Sequence, residues 1–311
     1  MNRFLWLVRR ELWEARSVWV APAICAAIIV GGALIAAFGT GSITVDGLDA
    51  EGLGRLHDKL TPANLDGAAS LALAGIAVPF FVMVMFTQFF YAIDALYGER
   101  RDRAILFWKS LPLSDAQAVL SKLAVAAVIM PAAATAAALA TQLVVFVIAS
   151  AKLSSLDFLQ GHLWTASLWG GDLVVLLYSL AAAALWYLPL LGWALLVSAW
   201  APRAPLMYAT LAPLAVGLGE FIVFRTHHAL KFIGDRVGNG GFIAHAFASH
   251  SQARGFTFVI EQDKLQIPRS LVEAMRPAQF FTSPEVWFGV VLAAAFVAAA
   301  IRVRRTRDEA V

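Results

Sequence analysis

The residues able to carry out chemistry are sparse in this sequence, and their spacing matches no common catalytic or metal-binding motif. The six histidines include an adjacent pair, His227 and His228, and a looser pair, His245 and His250. Neither pair has the spacing of a common zinc site, which favours solvated or capping histidines over a metal site. The chain has no G-x-x-x-x-G-K-[ST] phosphate loop and no G-x-S-x-G nucleophile elbow. The sequence therefore predicts no catalytic residue, no metal ligand and no cofactor-binding residue.

Charged residues inside the apolar stretches are equally rare. Asp94 and Asp172 lie near the ends of such stretches, where a carboxylate can reach interfacial water. Glu220 lies about four residues inside the fifth stretch, and a charge at mid-depth costs about 2.5–3.5 kcal/mol unless it is paired or functional. We expect a local ion pair between Glu220 and Arg225, the alternative being an outer gate that contacts substrate. A proton-coupled carrier would carry more acidic or histidine residues deep in its spans, so the sequence argues against that class.

The densest charged segment, residues 96–115, reads LYGERRDRAILFWKSLPLSD between two long apolar stretches. Its middle suits a short amphipathic helix on a membrane surface, with charges toward water and aromatic rings toward headgroups or a partner. Pro112 interrupts this helix, and Ser114 is a suitable N-cap for the next one. We interpret the segment as a cytoplasmic docking element.

Composition predicts the elements that must position these residues. The chain has 311 residues, of which 60% are hydrophobic and 14% charged, whereas soluble domains carry about 25% charged residues. Several apolar stretches approach the length that crosses a bilayer as a helix. The net charge of +3 is small, and basic residues cluster beside apolar stretches, a pattern typical of membrane orientation and not of nucleic-acid binding. The predicted class is an all-α polytopic membrane protein, a single transmembrane domain surrounded by membrane lipids.

Six transmembrane helices are predicted, after an amphipathic elbow helix at residues 2–17 that could equally be a basic flank fixing topology. The first span is too long for a signal-peptide core, so we interpret it as uncleaved. The fourth is long enough to require a tilt, a kink at Pro189 or an extension past the lipid. A long outer segment, 225–285, precedes the last span; within it 255–262 resembles a strand and 270–281 a short surface helix. The predicted spans are 18–38, 71–95, 117–149, 172–200, 206–224 and 286–301.

The basic residues predict that both termini are cytoplasmic. With the N-terminus inside, the inner segments hold many Lys and Arg and the short outer loops few, while an outer segment as long as 225–285 has little weight in the positive-inside rule. The inner set is Arg3, Arg9, Arg10, Arg16, Arg100, Arg101, Arg103, Lys109, Lys122, Arg203, Arg302, Arg304, Arg305 and Arg307, and the set in short outer loops is Arg55, Lys59 and Lys152. The segment 96–115 therefore falls on the cytoplasmic side.

Six spans, an amphipathic N-terminal helix and a charged element between spans two and three resemble the permease subunits of type-2 ABC exporters. The motif that carries the resemblance is Glu99 and Arg100 followed by the FWKSLP run at residues 107–112. In bacterial members a similar stretch follows the second span and is taken to dock on the ATPase. The topological resemblance covers the whole chain, and the motif covers about 20 residues.

The resemblance implies that ATP is bound and hydrolysed by a separate cytoplasmic ABC ATPase. This chain would then be a non-enzymatic transport subunit of the bacterial inner membrane, paired with a second permease copy or a paralogue. The segment would transmit ATPase motion into spans two and three. The outer segment 225–285 departs from the shorter outer hairpin of many members. The implied docking residues are Glu99, Arg100, Arg101, Asp102 and Arg103 as the charged surface, Phe107 and Trp108 as the apolar anchor, and Lys109.

Two function classes stay open at this stage. The first is an ATP-driven exporter permease whose substrate is a peptide, an antibiotic or a lipid-linked molecule. The second is a membrane scaffold or envelope assembly protein that moves no substrate. Separately, the alternative to a docking role for the segment 96–115 is a charge cluster beside the membrane that only sets topology. A membrane-embedded enzyme is disfavoured, because the spans lack a polar constellation.

Overall fold

The computed structural model describes residues 3–38, 62–104, 113–152, 161–238, 241–247, 260–261, 264–265 and 270–306. Within these residues the chain is predominantly helical, and six helices are long and apolar enough to cross a membrane. The prediction of a polytopic helical membrane protein is confirmed at this level of architecture. The elements are α1 (Arg3–Glu14), α2 (Ser17–Phe38), α3 (Pro62–Ala95), α4 (Tyr97–Arg101), α5 (Asp115–Ala124), a π-helical turn (Val125–Ile129), α6 (Met130–Lys152), α7 (Ala166–Trp186), α8 (Leu188–Trp200), α9 (Pro205–Phe224), α10 (His228–Val237), α11 (Gly241–Ala246), β1 (Ile260–Glu261), β2 (Lys264–Leu265), α12 (Leu271–Ala274), α13 (Pro277–Thr282) and α14 (Pro284–Thr306).

The third span begins where the sequence predicts an N-cap. The Ser114 side chain accepts a hydrogen bond from the Gln117 amide, and the Gln117 side chain accepts one from the Ser114 amide. This reciprocal capping box satisfies two amides that the first helical turn leaves without partners. The helix then continues through the π-helical turn into α6, so α5, this turn and α6 form one long rod.

The fourth predicted span, 172–200, is two helices in the structure. The helix α7 ends at Trp186, and α8 begins at Leu188 with Pro189 in its first turn. Pro189 is tolerated there because the amides of a first turn have no intrahelical partner, whereas in a helix interior it would break a hydrogen bond. The break therefore falls at Tyr187, two residues before the expected kink.

Successive spans alternate in direction, which gives the bundle two distinct ends. We call one the α1 end, since it gathers α1, α4, the start of α5 and the last residues of α8 and α14. The other is the cap end, where α10, α11, α12 and α13 form a cap over the spans. Phe247 forms an isolated bridge with Met275 in the cap, and the short strands β1 and β2 pair antiparallel with one another.

The most closely packed pair among the described helices is α8 with α14. A methyl group on Gly192 would lie 3.1 Å from the Ala293 carbonyl oxygen, so the glycine allows the two backbones to approach closely. Leu191, Leu195 and Val297 are buried in this contact. Small residues at a helix crossing are the usual solution in lipid, where van der Waals packing drives helix association.

The cap is tied to the spans by Arg236 of α10. Its guanidinium donates to the carbonyl of Trp186, and Nη2 donates to the Glu285 carbonyl at 2.6 Å. The group lies 4.6 Å from the centre of the Trp186 ring and 4.5 Å from that of Phe232. Burial lowers the pKa of Arg236 to about 10, with the Glu285 charge acting in the opposite direction, so the side chain stays cationic at neutral pH. Gly289 supplies the space that this side chain fills.

Candidate functional site

A buried network of charged side chains joins four elements at the α1 end. Lys122 of α5 lies at its centre: Nζ is 2.9 Å from Glu11 Oε1 of α1 and 3.1 Å from Glu99 Oε1 of α4. Arg304 of α14 binds the other oxygen of Glu99 at 2.6 Å and Oδ1 of Asp115 at 3.1 Å. The carboxylates therefore alternate with the cations, and the network closes α1, α4, α5 and α14 into one unit.

Each charge in the network has partners that offset the cost of its burial. Lys122 and Arg304 are 3% and 6% exposed. Burying an ion is tolerated only where opposite charges and hydrogen bonds satisfy it. Glu11 has a further donor, the Tyr91 hydroxyl, at 2.8 Å. The network therefore fixes geometry strongly, because displacing any one member leaves another buried and unpaired.

A further buried cation, Arg100, attaches α4 to α8. Arg100 Nη2 donates to the carbonyls of Ser198 at 2.8 Å and Ala201 at 2.7 Å. In return, Ser198 Oγ accepts hydrogen bonds from the amides of Leu96 and Tyr97, both at 2.9 Å. A cation at the last carbonyls of a helix is favourable, because that end of the helix carries partial negative charge.

A cleft of about 330 Å³ opens beside the network, between α1, the start of α5 and the end of α14. Its lining combines the network with Arg10 and Arg305 and with apolar residues that include Leu7 and Leu113. Both signs of charge are present, and most of the cations already bind a carboxylate. This chemistry suits a polar protein segment, which carries both donors and acceptors, better than a simple anion.

The structure divides the predicted docking residues into two groups. Glu99 and Arg100 are 8% and 4% exposed and point into the bundle, which corrects the expectation that they belong to an exposed contact surface. The physical reason is that their charges are already satisfied by the network and by α8. Arg101, Asp102 and Arg103 are exposed at the tip of α4. The other predicted docking residues, Phe107, Trp108 and Lys109, lie outside the described residues.

The exposed tip has a defined local shape. Arg101 Nε donates to Asp102 Oδ1 at 3.0 Å, and this hydrogen bond lowers the pKa of the Asp102 carboxyl. Arg103 has a φ of 57°, in the left-handed region that non-glycine residues seldom adopt. The α4 helix therefore ends in a turn, and the tip carries two cations and one anion.

The predicted ion pair between Glu220 and Arg225 is wrong. Glu220 Oε1 accepts from the Thr226 hydroxyl at 2.6 Å and from the His228 amide at 2.9 Å, while Oε2 accepts from the Ala229 amide at 2.8 Å. Arg225, with a φ of 56°, ends α9 and lies over the Phe221 ring. The left-handed turn carries the chain back over α9, so that Glu220 binds the free amides of the first turn of α10, where a negative charge is favourable.

Four residues of the network, Glu11, Lys122, Arg304 and Asp115, were not predicted as site residues. They were interpreted as part of an elbow helix, as topology-setting charges or as the end of the segment 96–115. The local sign was the position of Lys122, a cation inside the predicted span 117–149. A charge so placed requires a partner, but the sequence does not indicate which one.

Neither a protein-family model, nor a curated protein, nor a solved structure matches this chain. Within the described residues, no group of three or more His, Cys, Asp and Glu side chains is placed to hold a metal ion. The site is thus defined by its charges, its burial and the elements it joins.

Proposed function

We propose that this protein is the transmembrane permease subunit of an ATP-driven type-2 ABC exporter, and that a separate cytoplasmic ATPase drives it through the segment 96–115. The observation that carries the proposal is the buried network of Glu11, Lys122, Glu99 and Arg304. It anchors one end of the segment to α1, α5 and α14, while the adjacent tip stays exposed. A segment that transmits force from a partner must be accessible at the partner side and rigidly connected on the other.

Neighbouring residues of the segment 96–115 provide both the exposed surface and the rigid connection. The Arg101 and Asp102 side chains are 52% and 63% exposed. One residue earlier, Arg100 is buried and holds the carbonyls at the end of α8. A force on the tip would therefore reach α8 through Arg100 and α14 through Glu99. A charge cluster that only sets topology has no need of either connection.

The proposed orientation of the protein in the membrane follows from the distribution of its basic residues. The α1 end carries Arg10, Arg101, Arg103, Arg304 and Arg305, and clusters of Lys and Arg favour the cytoplasmic side of a membrane. We therefore assign the α1 end to the cytoplasm and the cap to the outer side of a bacterial inner membrane. The exposed apolar faces of α2 and α9, which include Ile35 and Phe224, would then contact lipid or a second permease.

The experiment that tests the proposal is a pull-down of the tagged, detergent-solubilised protein from its native cell, with identification of the proteins that accompany it. We expect an ABC ATPase in stoichiometric amount. The variant Arg101→Glu combined with Arg103→Glu should release it, because reversing two exposed charges changes the contact without disturbing the buried network. Trp108→Ala should also weaken the complex if the predicted apolar anchor makes contact.

A matched control is Arg203→Glu, which reverses another exposed arginine at the α1 end. This variant should retain the ATPase. If wild-type protein brings down no ATPase, or brings down envelope proteins in its place, the scaffold interpretation replaces the transporter. If the ATPase is present but the tip variant and the control retain it equally, the docking site lies elsewhere.

A further inference from the structure

An acid and an amide meet in an apolar joint between α3, α6 and α7, remote from the α1 end. Gln142 is fully buried and Asp172 is 8% exposed. Gln142 Nε2 donates to the Leu73 carbonyl at 3.0 Å and to Asp172 Oδ1 at 3.3 Å. The same three helices share a buried apolar cluster, to which Leu73, Phe146 and Leu168 belong.

The hydrogen bonds in this joint leave two acceptors without a donor. Both hydrogens of the Gln142 amide group are used, which fixes the orientation of the amide. Gln142 Oε1 and Asp172 Oδ2 are both buried and accept no hydrogen bond from the described part of the chain. An unsatisfied buried acceptor costs about 1–3 kcal/mol, and more if it carries a charge. The joint therefore lacks a donor.

No cation among the described residues supplies that donor. Asp66 of α3 is bound to His162 at 2.8 Å, so this histidine is already engaged. Lys152 of α6 is exposed and lies ten residues beyond Gln142, about 15 Å along the helix. Its position is too distant for a direct ion pair with Asp172.

The remaining elements packed on α7 bring no closer cation. From α12, Val272 approaches Gly171, and the next residue, Glu273, is acidic and exposed. His245 of α11 packs against Trp186, at the far end of α7 from Asp172. Arg236 also lies at that far end of α7, because its guanidinium donates to the carbonyls of Trp186 and Glu285.

We propose that Asp172 binds a proton and that Asp172 and Gln142 form a proton-binding site joining α3, α6 and α7. A proton from water on the cap side forms an O–H bond with one carboxylate oxygen, which removes the buried charge and creates the donor that the joint lacks. A metal cation fits less well, because hard cations take six or more oxygen ligands and the joint offers two free oxygens. This site is independent of the proposed transport function.

The position of the site gives it access to protons from one side of the membrane. From Lys122 to Gln142 the rod advances twenty residues, about 30 Å, which matches the thickness of the hydrocarbon core. With Lys122 at one boundary, Gln142 and Asp172 lie at the other, toward the cap. Deprotonation at alkaline pH would leave a buried carboxylate with no cation and with one oxygen unsatisfied, and we expect it to loosen the joint between the three helices.

Infrared difference spectroscopy tests the proposal on the full-length protein in liposomes. The protonated acid should give a carboxylic C=O band at neutral pH that shifts in D₂O and disappears in Asp172→Asn. Asparagine offers a carbonyl acceptor and an NH2 donor group at the same position, so this variant should still fold. In Gln142→Met the band should move to higher frequency, because the carbonyl loses the hydrogen bond from the amide.

The matched control is Asp94→Asn, which removes a carboxyl from the exposed α1 end of α3 and should leave the band unchanged. The proposal is overturned if neither wild type nor Gln142→Met shows, at neutral pH, a carboxylic band that is lost when Asp172 is replaced. A melting temperature that rises with sodium concentration only when Asp172 is present, without such a band, also overturns it and identifies a cation site.

Discussion

Replacing Lys122 by Met should destabilise the α1 end more than any other single loss of charge in the network. Lys122 Nζ is within 3.1 Å of both Glu11 and Glu99, so the variant leaves two buried carboxylates near one another with one cation fewer. Removing one partner of a buried pair costs about 3–5 kcal/mol, because the uncompensated charge stays buried. That loss corresponds to roughly two to three and a half orders of magnitude in the unfolding equilibrium constant.

The stability that Lys122→Met loses should depend on pH. In the variant, a carboxylate without its cation is favoured to bind a proton, and the neutral acid costs less to bury. The free-energy difference between wild type and Lys122→Met should therefore shrink as the pH falls. The double variant Glu11→Gln with Lys122→Met removes one of the two charges and should recover part of the stability at neutral pH.

The measurement is chemical denaturation in detergent micelles, followed by tryptophan fluorescence at several pH values. Lys152→Met is the matched control, since this lysine is exposed at the far end of the same rod, and surface substitutions usually stay within about 0.5 kcal/mol. The reasoning is refuted if Lys122→Met is no more destabilising than Lys152→Met, or if its deficit is constant across the acidic range.

Three further perturbations probe separate contacts. Ser198→Ala removes the hydroxyl that accepts from the amides of Leu96 and Tyr97, and it should lower the free energy of unfolding by about 2 kcal/mol in the same denaturation assay; a loss below about 0.5 kcal/mol would contradict this. Glu220→Gln should speed hydrogen exchange in the first turn of α10, because the amides there lose a charged acceptor, whereas Arg225→Gln should not. Gly289→Ala places a methyl group where the Arg236 guanidinium lies and should detach the cap, with faster hydrogen exchange throughout α10; unchanged exchange would show that the arginine adjusts without loss.

The sequence predicts those parts of the structure that local patterns determine. Runs of apolar residues long enough to cross a bilayer predict six helices, since backbone groups in lipid must be satisfied within the helix. The N-cap at Ser114 was predictable because its partner, Gln117, is three residues away. Both features depend on neighbours within a turn or a span.

The site is less predictable because its partners are distant in sequence. Lys122 and Glu11 are 111 residues apart, and Arg304 and Glu99 are 205 apart. No periodicity relates residues at such separations, so the charges were interpreted by the membrane-orientation rule alone. The error at Glu220 has a different cause: Arg225 was the nearest cation, but the turn brought backbone amides to the carboxylate, and these compete well with an exposed cation.

The helix α8 is the element through which the two ends of the bundle can influence one another. At the α1 end, its last carbonyls are held by Arg100, and at the other end the carbonyl of Trp186, just before it, is held by Arg236. Between them, Gly192 brings α8 against the backbone of α14. If α8 moved without either arginine, that arginine would become a buried cation without acceptors. The free-energy cost of such a cation opposes a movement of α8 that is independent of α4 or of the cap. Under the proposed function, α4, α8 and the cap would therefore shift together when a partner displaces the exposed tip.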